Sequence, residues 1–407
     1  MGTRYAIGIA VFMLGFSCAC TPMGGLSTSN KDGNTPMELV VSANDGKQLE
    51  RGQGPQNRTP DSVAVIDFTH YPPKTLGIVA APAGLVGPPV SVAVSRDQRL
   101  ALVTASGKVD PSDVTKLVPD DSLSVVDISS PAHPRVTQSL HTGLGAEGVA
   151  INQPATLALV TNTNEGTVSV FSIAGGKLTP AGKINLDAGS RPASAEFLPD
   201  GKTALVVCLG SSKIARLLID GANVTKAGEI TLDAKSASLA LPVQGGHFAI
   251  VNGTGPPPAN GAATAARGTT RDNKVSIVDL SSGKIVTTTD IGAGDEYIGL
   301  SPDGVYLEAT VTNGSHNAPT APDFHDFGLM KVFRVSDASI IPVAEVETGH
   351  WCQGAIWSND NRTILLQCAT EKEIEVFHFD GKVLSRDQSA TIKFDADPSG
   401  IATATSH

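Results

Sequence analysis

Apolar and polar residues alternate in short runs along this chain, and one arrangement of runs is repeated. Its clearest copy occupies residues 191–220: a short alternating run, a turn at Asp200-Gly201, a nearly continuous apolar run at 203–209 and a second alternating run at 213–218. Alternation is typical of a strand with one buried face, and a short continuous apolar run is typical of a strand buried on both faces. With a fourth run at 223–232, the pattern predicts a four-stranded antiparallel meander.

The turn between the first two runs recurs along the chain and marks six copies of the unit. Gly, Asp and Asn at such turns permit a tight reversal between two strands. An apolar second strand follows each turn. The six turns lie at residues 95–98, 152–155, 199–201, 242–245, 302–304 and 359–361. Self-similar units of this kind predict one repeat domain rather than several independent ones.

A seventh unit is divided between the two ends of the sequence. Residues 38–43, 62–67 and 75–79 have the character of second, third and fourth strands, and residues 398–403 have that of a first strand. Joining them completes the unit and removes exposed sheet edges, which would invite aggregation. The sequence therefore predicts an all-β, seven-bladed β-propeller of four-stranded antiparallel blades, closed by strands from both termini, as a single domain over residues 37–407.

The N-terminal residues are predicted to lie outside this fold. Residues 1–20 combine a positively charged start with an apolar run too short for an ordinary membrane helix, which is typical of a signal peptide. The segment resembles a bacterial lipoprotein signal, in which Cys18 or Cys20 would carry the lipid. Simple secretion and retention as an uncleaved anchor stay open. Residues 21–36, rich in Gly, Ser, Thr, Asn and Pro, are expected to form a flexible tether.

All three alternatives place the mature protein outside the cytoplasm. We expect an outer-membrane lipoprotein or a secreted protein, in the periplasm or cell envelope, with membrane contact only through the N-terminal anchor. The net charge of −10 and the lack of a basic stripe argue against nucleic-acid binding, which needs a concentrated basic surface. The protein is expected to be a monomer.

Long insertions identify one face of the predicted propeller as the elaborated one. They lie at residues 106–121, 253–272 and 312–327, always between a second and a third strand. Because strands alternate in direction, these loops emerge on the same face as the loops that lead into the first strands. Binding residues usually sit on loops carried by a rigid scaffold, so this face is the candidate functional face. Simple tolerance of insertions is the alternative.

Two stretches resemble the repeat of the YVTN-type seven-bladed propellers. They are residues 198–207, LPDGKTALVV, and 273–286, NKVSIVDLSSGKIV. The resemblance covers about residues 38–403 and implies the same fold. That group is similar to lactonase-type propellers, to dehydrogenase propeller subunits and to the haem d1 domain of nitrite reductases. No catalytic residue carries over by a matched motif, and the chain lacks the Cys-x-x-Cys-His motif of covalent haem, so no cofactor is predicted.

The loops that lead into the first strands are expected to surround the mouth of the central channel. Such a ring could bind a small polar or anionic ligand, or place a carboxylate and a histidine for acid-base hydrolysis of an ester or lactone. Ordinary polar rim residues are the alternative. Aligning the repeats on their turns places eight residues in this ring: Glu147, Arg191, Lys235, Asp295, Glu296, His350, Trp351 and Gln353.

A second group of candidate residues lies within the last long insertion. Imidazole and carboxylate groups suit zinc or a similar divalent ion, although the spacing matches no known motif. The candidate ligands are His316, Asp323, His325 and Asp326, with His350 nearby and His141 as a further possibility.

Cys352 and Cys368 are predicted to form a disulfide. Both lie eight residues from Asp360 at the centre of a predicted hairpin turn, so they face each other on adjacent antiparallel strands. An oxidising compartment would favour the bond. Cys208 occupies the position equivalent to Cys368, but Pro192 stands where its partner would be. It is expected to be a buried free thiol.

These features lead to three hypotheses about function. The first is a non-catalytic module that binds a small polar ligand, an envelope protein or a polysaccharide through the loop face and channel mouth. The second is a lactonase-type hydrolase or isomerase. The third is a periplasmic metal-binding protein.

Overall fold

The structure is a computed structural model that describes residues 1–2, 37–47, 58–85, 87–254, 272–336 and 338–404. The chain divides into two units, Met1–Pro36 and Met37–His407, and the β-structure belongs to the second. The predicted lipidation site and tether, and the predicted signal peptide apart from residues 1–2, lie outside the described residues. No helix in the described part is long and apolar enough to cross a membrane.

The described strands form seven antiparallel blades, which confirms the predicted β-propeller. Blade 1 is the one divided between the termini, and blades 2–7 follow in chain order. From blade 1 to blade 7, the inner strands are Asp397–Thr403, Val92–Val94, Ala146–Ile151, Pro192–Phe197, Ala240–Val243, Asp295–Leu300 and Cys352–Trp357. The second strands are Leu39–Asp45, Leu100–Val109, Leu157–Asn162, Thr203–Cys208, Phe248–Thr254, Tyr306–Val311 and Thr363–Cys368.

The outer two strands of each blade follow in the same order. The third strands are Ser62–Asp67, Leu117–Asp127, Thr167–Ala174, Lys213–Asp220, Asp272–Asp279, Gly328–Ser336 and Glu373–Phe379. The fourth strands are Lys74–Ala80, Arg135–His141, Lys177–Asn185, Asn223–Thr231, Ile285–Ala293, Ser339–Thr348 and Leu384–Arg386. Blade 7 adds the short strand Ile392–Lys393, and two short 3-10 helices lie at Gln244–Gly246 and Gln388–Ala390.

The two termini close the propeller as predicted. Strand Asp397–Thr403 pairs antiparallel with Leu39–Asp45, with Ala402 opposite Val41. The Thr403 hydroxyl also donates a hydrogen bond to the Leu39 carbonyl, at 2.9 Å. A strand from the C-terminus therefore supplies the inner edge of a blade whose other strands come from the N-terminal part.

Neighbouring blades approach each other closely at two glycines in their inner strands. A Cβ added to Gly148 would lie 2.5 Å from the Ala193 carbonyl oxygen of the next blade, and one added to Gly400 would lie 2.1 Å from Ser91 Oγ. The Ala193 oxygen belongs to the backbone and cannot turn aside, so glycine is required at position 148. The tight contact fixes the inner strands around the channel.

The insertion at residues 106–121 differs from the expected loop. Strands Leu100–Val109 and Leu117–Asp127 continue to pair beyond the blade, with Lys108 opposite Val118, and form a projecting hairpin. Lys108 Nζ donates to Asp120 Oδ1 at 2.8 Å and helps to hold it. We call the side that carries this hairpin and the loops into the inner strands the loop face, and the opposite side the turn face.

Candidate functional site

The backbone leads into four inner strands in the same unusual way. The residue directly before each strand has a left-handed conformation, and two of the four are glycines. The φ values are 75° at Gly145, 46° at Arg191, 82° at Gly294 and 47° at Trp351. Side chains other than glycine adopt this conformation at a cost, and such residues often mark functional sites. Two residues of the predicted ring, Arg191 and Trp351, are held this way.

In the same four blades, the pairing between the inner and second strands is interrupted two residues after this left-handed residue. The register between inner and second strands shifts at Glu147, Ala193, Glu296 and Gln353. Such a bulge re-aims a side chain relative to the rest of its strand. Three members of the predicted ring, Glu147, Glu296 and Gln353, therefore occupy one repeated bulge position at the channel mouth.

Gln353 is buried at this mouth, with 1% of its surface exposed. Its Nε2 donates to the Leu85 carbonyl at 3.3 Å, whereas its Oε1 is buried and has no hydrogen-bond partner among the described residues. Leu85 belongs to the connection between blades 1 and 2, and Lys47 Nζ donates to Ala83 in the same connection at 2.8 Å. This connection therefore lies against the mouth and leaves one buried acceptor unsatisfied.

Asp295 begins the inner strand of blade 6 and presents a second unsatisfied oxygen. Asn252 of blade 5 hydrogen-bonds its carboxyl group, but Oδ1 is buried without a partner among the described residues. Burial raises the pKa of Asp295 well above its usual value, and the charge of Glu296 adds to the rise, against the bond from Asn252. The neutral acid, which can donate a hydrogen bond, is therefore favoured.

Two more acidic groups near the channel share this behaviour. Burial raises the pKa of Glu196 to about 8. Burial also raises the pKa of Glu308 to about 8, although its Oε1 accepts a hydrogen bond from the Thr310 hydroxyl at 2.5 Å. Tyr297 lies near both carboxyl groups, and burial and their charges raise the pKa of its phenol. The inner two strands of the propeller thus contain buried acids whose raised pKa values favour the protonated form at neutral pH.

His350 is fixed on the rim by two carboxylates. Its Nδ1 lies 2.5 Å from Glu371 Oε1, and its Nε2 lies 2.9 Å from Asp326 Oδ1. Burial lowers the pKa of His350, but the bonds to Glu371 and Asp326 outweigh it and the net shift is upward. Both ring nitrogens are thereby occupied, which favours the charged imidazolium and disfavours a role as general base.

The other predicted residues are dispersed around the rim. Arg191 and Lys235 are exposed on it. His325 Nδ1 lies 2.8 Å from the Asn313 carbonyl oxygen, and the His316 ring is 6.3 Å from that of Trp351. His141 lies away from them, with Nδ1 2.9 Å from Asp121.

The metal site at His316, Asp323, His325 and Asp326 stays a prediction. In the described part of the chain, the group that brings three potential ligand atoms within 4.8 Å of one another is Cys352, Cys368 and Glu375.

Those two cysteines form the predicted disulfide, with a Cα–Cα distance of 3.8 Å. They lie directly opposite each other at the loop-face end of blade 7, next to the ring residues Trp351 and Gln353. Cys208 is a buried free thiol, as expected, and burial raises its pKa to about 11.

Comparison with known proteins identifies the fold. No family model and no curated protein matches the sequence. Among solved structures, a protein of Bacteroides uniformis described as a candidate 6-phosphogluconolactonase is 17% identical with a TM-score of 0.66, over 91% of this chain and 100% of that one. A protein of Bacteroides fragilis with the same description is 15% identical, with a TM-score of 0.65, over 91% and 99% of the two chains. The dihydro-haem d1 dehydrogenase NirN is 13% identical, with a TM-score of 0.55, over 91% and 76%.

Sequence reasoning missed Glu196, Glu308 and Glu371. Glu196 and Glu308 are acidic residues inside predicted apolar strands, which is a recognisable signal because an unpaired carboxylate is costly to bury. Glu371 gives no such signal, since it lies in an ordinary polar turn.

Proposed function

We propose that this protein is a binding module that takes a small, uncharged, oxygen-rich ligand, such as a sugar or sugar lactone, at its channel mouth. The observation that carries the proposal is the pair of buried, unsatisfied oxygens, Asp295 Oδ1 and Gln353 Oε1, at the tops of two neighbouring inner strands. Buried polar groups are normally hydrogen-bonded, so each is expected to meet a ligand atom or water.

The chemistry of the mouth favours a ligand with both hydroxyl and carbonyl or ring oxygens. Protonated Asp295 would donate to a ligand oxygen, and Gln353 Oε1 would accept from a ligand hydroxyl. The charge of Glu296, which follows Asp295 in the chain, disfavours an anion at this depth. Arg191 and Lys235, exposed on the rim, can instead contact an anionic substituent such as a phosphate that points outward.

We further propose that the protein works outside the cytoplasm, in the periplasm or cell envelope. The Cys352–Cys368 disulfide supports this location because such bonds persist in oxidising compartments. The predicted signal at residues 1–20 supports it as well.

Lactone hydrolysis is the second candidate function. Two of the similar structures are described as candidate 6-phosphogluconolactonases, and Glu196, with a pKa of about 8, is suited to acid-base chemistry near neutral pH. His350 is not the proposed base, since both of its ring nitrogens are bonded to carboxylates.

Calorimetric titration with neutral monosaccharides, D-glucono-δ-lactam and D-glucono-1,5-lactone tests the proposal. The wild type is expected to bind at least one of them, and Gln353→Leu to bind it at least 10-fold more weakly. Glu347→Gln, an exposed change on blade 6, should bind as the wild type does. If the wild type hydrolyses the lactone and Glu196→Gln does not, the result would favour lactone hydrolysis as the function. Absence of binding to every compound would refute the proposal and favour an envelope protein or polysaccharide as the partner.

A further inference from the structure

A pocket lies on the turn face, between blades 6 and 7 and away from the channel mouth. Its volume is about 510 Å³, within the usual range for small-molecule sites. The turn Asp360–Arg362 and the start of the turn after Phe379 form its sides, and Tyr306 belongs to its wall. All of these segments connect strands on the side opposite the loops described above.

Aromatic side chains give this pocket a rigid apolar wall. The Tyr306 ring packs edge-on against Phe379 at 4.9 Å and stacks on Trp357 at 6.4 Å. Arg334 lies over the Tyr306 ring, 5.7 Å from its centre. Arg334 lies over this ring and Trp357 and Phe379 are buried against it, so Tyr306 contributes its edge and hydroxyl to the pocket rather than a free ring face.

The polar groups of the pocket include both donors and acceptors. Asp360 and Asp380 use Oδ1 to accept hydrogen bonds from their own turns, and their Oδ2 atoms have no partner among the residues that the structure describes. The exposed side chain of Arg362 adds a cationic donor to the pocket lining. Asn361 Oδ1 accepts from the Asp303 amide at 3.3 Å, which ties the turns of blades 6 and 7 together.

His378 on the pocket wall is held in place by a residue of blade 1 that does not line the pocket. Its Nε2 lies 3.0 Å from the Tyr71 hydroxyl, which also hydrogen-bonds Asp387. Blade 1 therefore braces a pocket residue of blade 7. Pre-organisation of this kind lowers the ordering cost of binding.

We propose that this pocket binds a neutral saccharide. The two carboxylates disfavour an anion and Arg362 disfavours a simple cation, whereas a sugar can use the acidic oxygens, the guanidinium and the edge of Tyr306 together. This mixture of groups is the reason for proposing a neutral saccharide. The pocket lies on the opposite face of the propeller from the channel mouth and shares no residue with it.

The two tryptophans make the pocket separately observable. Trp351 lies on the loop face, and Trp357 stacks on the pocket residue Tyr306, so Trp351→Phe leaves fluorescence from Trp357 alone. Titration of this variant with maltotriose, cellotriose, chitotriose and mannotriose should change Trp357 fluorescence for at least one sugar. Arg362→Ala should weaken that binding at least 5-fold, and Asp360→Asn, which keeps the turn acceptor, should weaken it as well.

Lys202→Ala is the matched control, because Lys202 occupies the equivalent turn of blade 4. It should bind as the parent does, and so should Asp295→Asn at the channel mouth. The proposal is overturned if no trisaccharide changes the signal at millimolar concentration, if inorganic phosphate binds in place of the sugars, or if Arg362→Ala and Asp360→Asn fold and bind normally.

Discussion

Arg191 and Trp351 occupy the same position in blades 4 and 7 and share a left-handed backbone, with φ values of 46° and 47°. Glycine fills this position in blades 3 and 6. A side chain in this conformation costs about 1–2 kcal/mol. Arg191 and Trp351 therefore carry side chains at positions where the backbone favours glycine. Their proposed contact with a ligand gives a reason for keeping these side chains.

Replacing Arg191 by glycine should relieve this strain. The free energy of unfolding of Arg191→Gly is expected to be unchanged or higher by up to about 1 kcal/mol, measured by urea denaturation. Lys177→Gly, in the exposed fourth strand of blade 3, is the control and should be destabilised because its backbone is extended. Equal destabilisation of the two variants would contradict the interpretation.

The buried acids should make stability depend on pH. Glu308 has a folded-state pKa of about 8 against an ordinary 4.5, so its contribution is fully present below pH 4.5 and is lost as pH rises through 8. Glu308→Gln should remove a decline of about 1.4 kcal/mol per pH unit in this window. Urea denaturation from pH 5 to pH 8.5 measures the difference, with Glu347→Gln as an exposed control. A variant as pH-dependent as the wild type would refute the assignment.

The disulfide is expected to stabilise blade 7. Its cysteines are 16 residues apart, and closing a loop of that size contributes about 3 kcal/mol. The double variant Cys352→Ala/Cys368→Ala should lose about that much, and reductant should then leave its melting temperature unchanged. Cys208→Ala should respond to reductant as the wild type does. If peptide mapping without reductant finds Cys352 and Cys368 as free thiols, the disulfide does not form and the prediction is wrong.

Asp326 is expected to help keep His350 charged. Because His350 Nε2 lies 2.9 Å from Asp326 Oδ1, Asp326→Asn should lower the pKa of His350, and the exposure of Asp326 limits the size of the change. NMR titration of the imidazole measures the shift. Asp323→Asn, on the same loop, is the control and should leave that pKa unchanged. An equal effect of both variants would indicate that the negative charge of the whole loop, rather than the contact between His350 and Asp326, raises the pKa of His350.

The sequence was sufficient to predict the blades because strand alternation and Asp-Gly or Asn turns are local signals. The same alignment placed Glu147, Glu296 and Gln353 around the mouth, and the facing positions of Cys352 and Cys368 followed from counting. The bulge could not be predicted, because these inner strands are short and mostly buried on both faces, so they show no alternation that an extra residue would interrupt. The contact between His350 and Asp326 could not be predicted either, because it depends on the path of a long loop.

The central claim is that protonated Asp295 donates a hydrogen bond to a neutral ligand at the channel mouth. The most direct test is the pH dependence of affinity for the tightest-binding sugar or lactam, measured by calorimetry in the wild type and in Asp295→Asn. We predict that wild-type affinity falls as pH rises through the raised pKa of Asp295, and that Asp295→Asn, which donates through its amide, shows a much smaller fall. Equal pH dependence in both proteins, or wild-type affinity that rises with pH, would contradict the account.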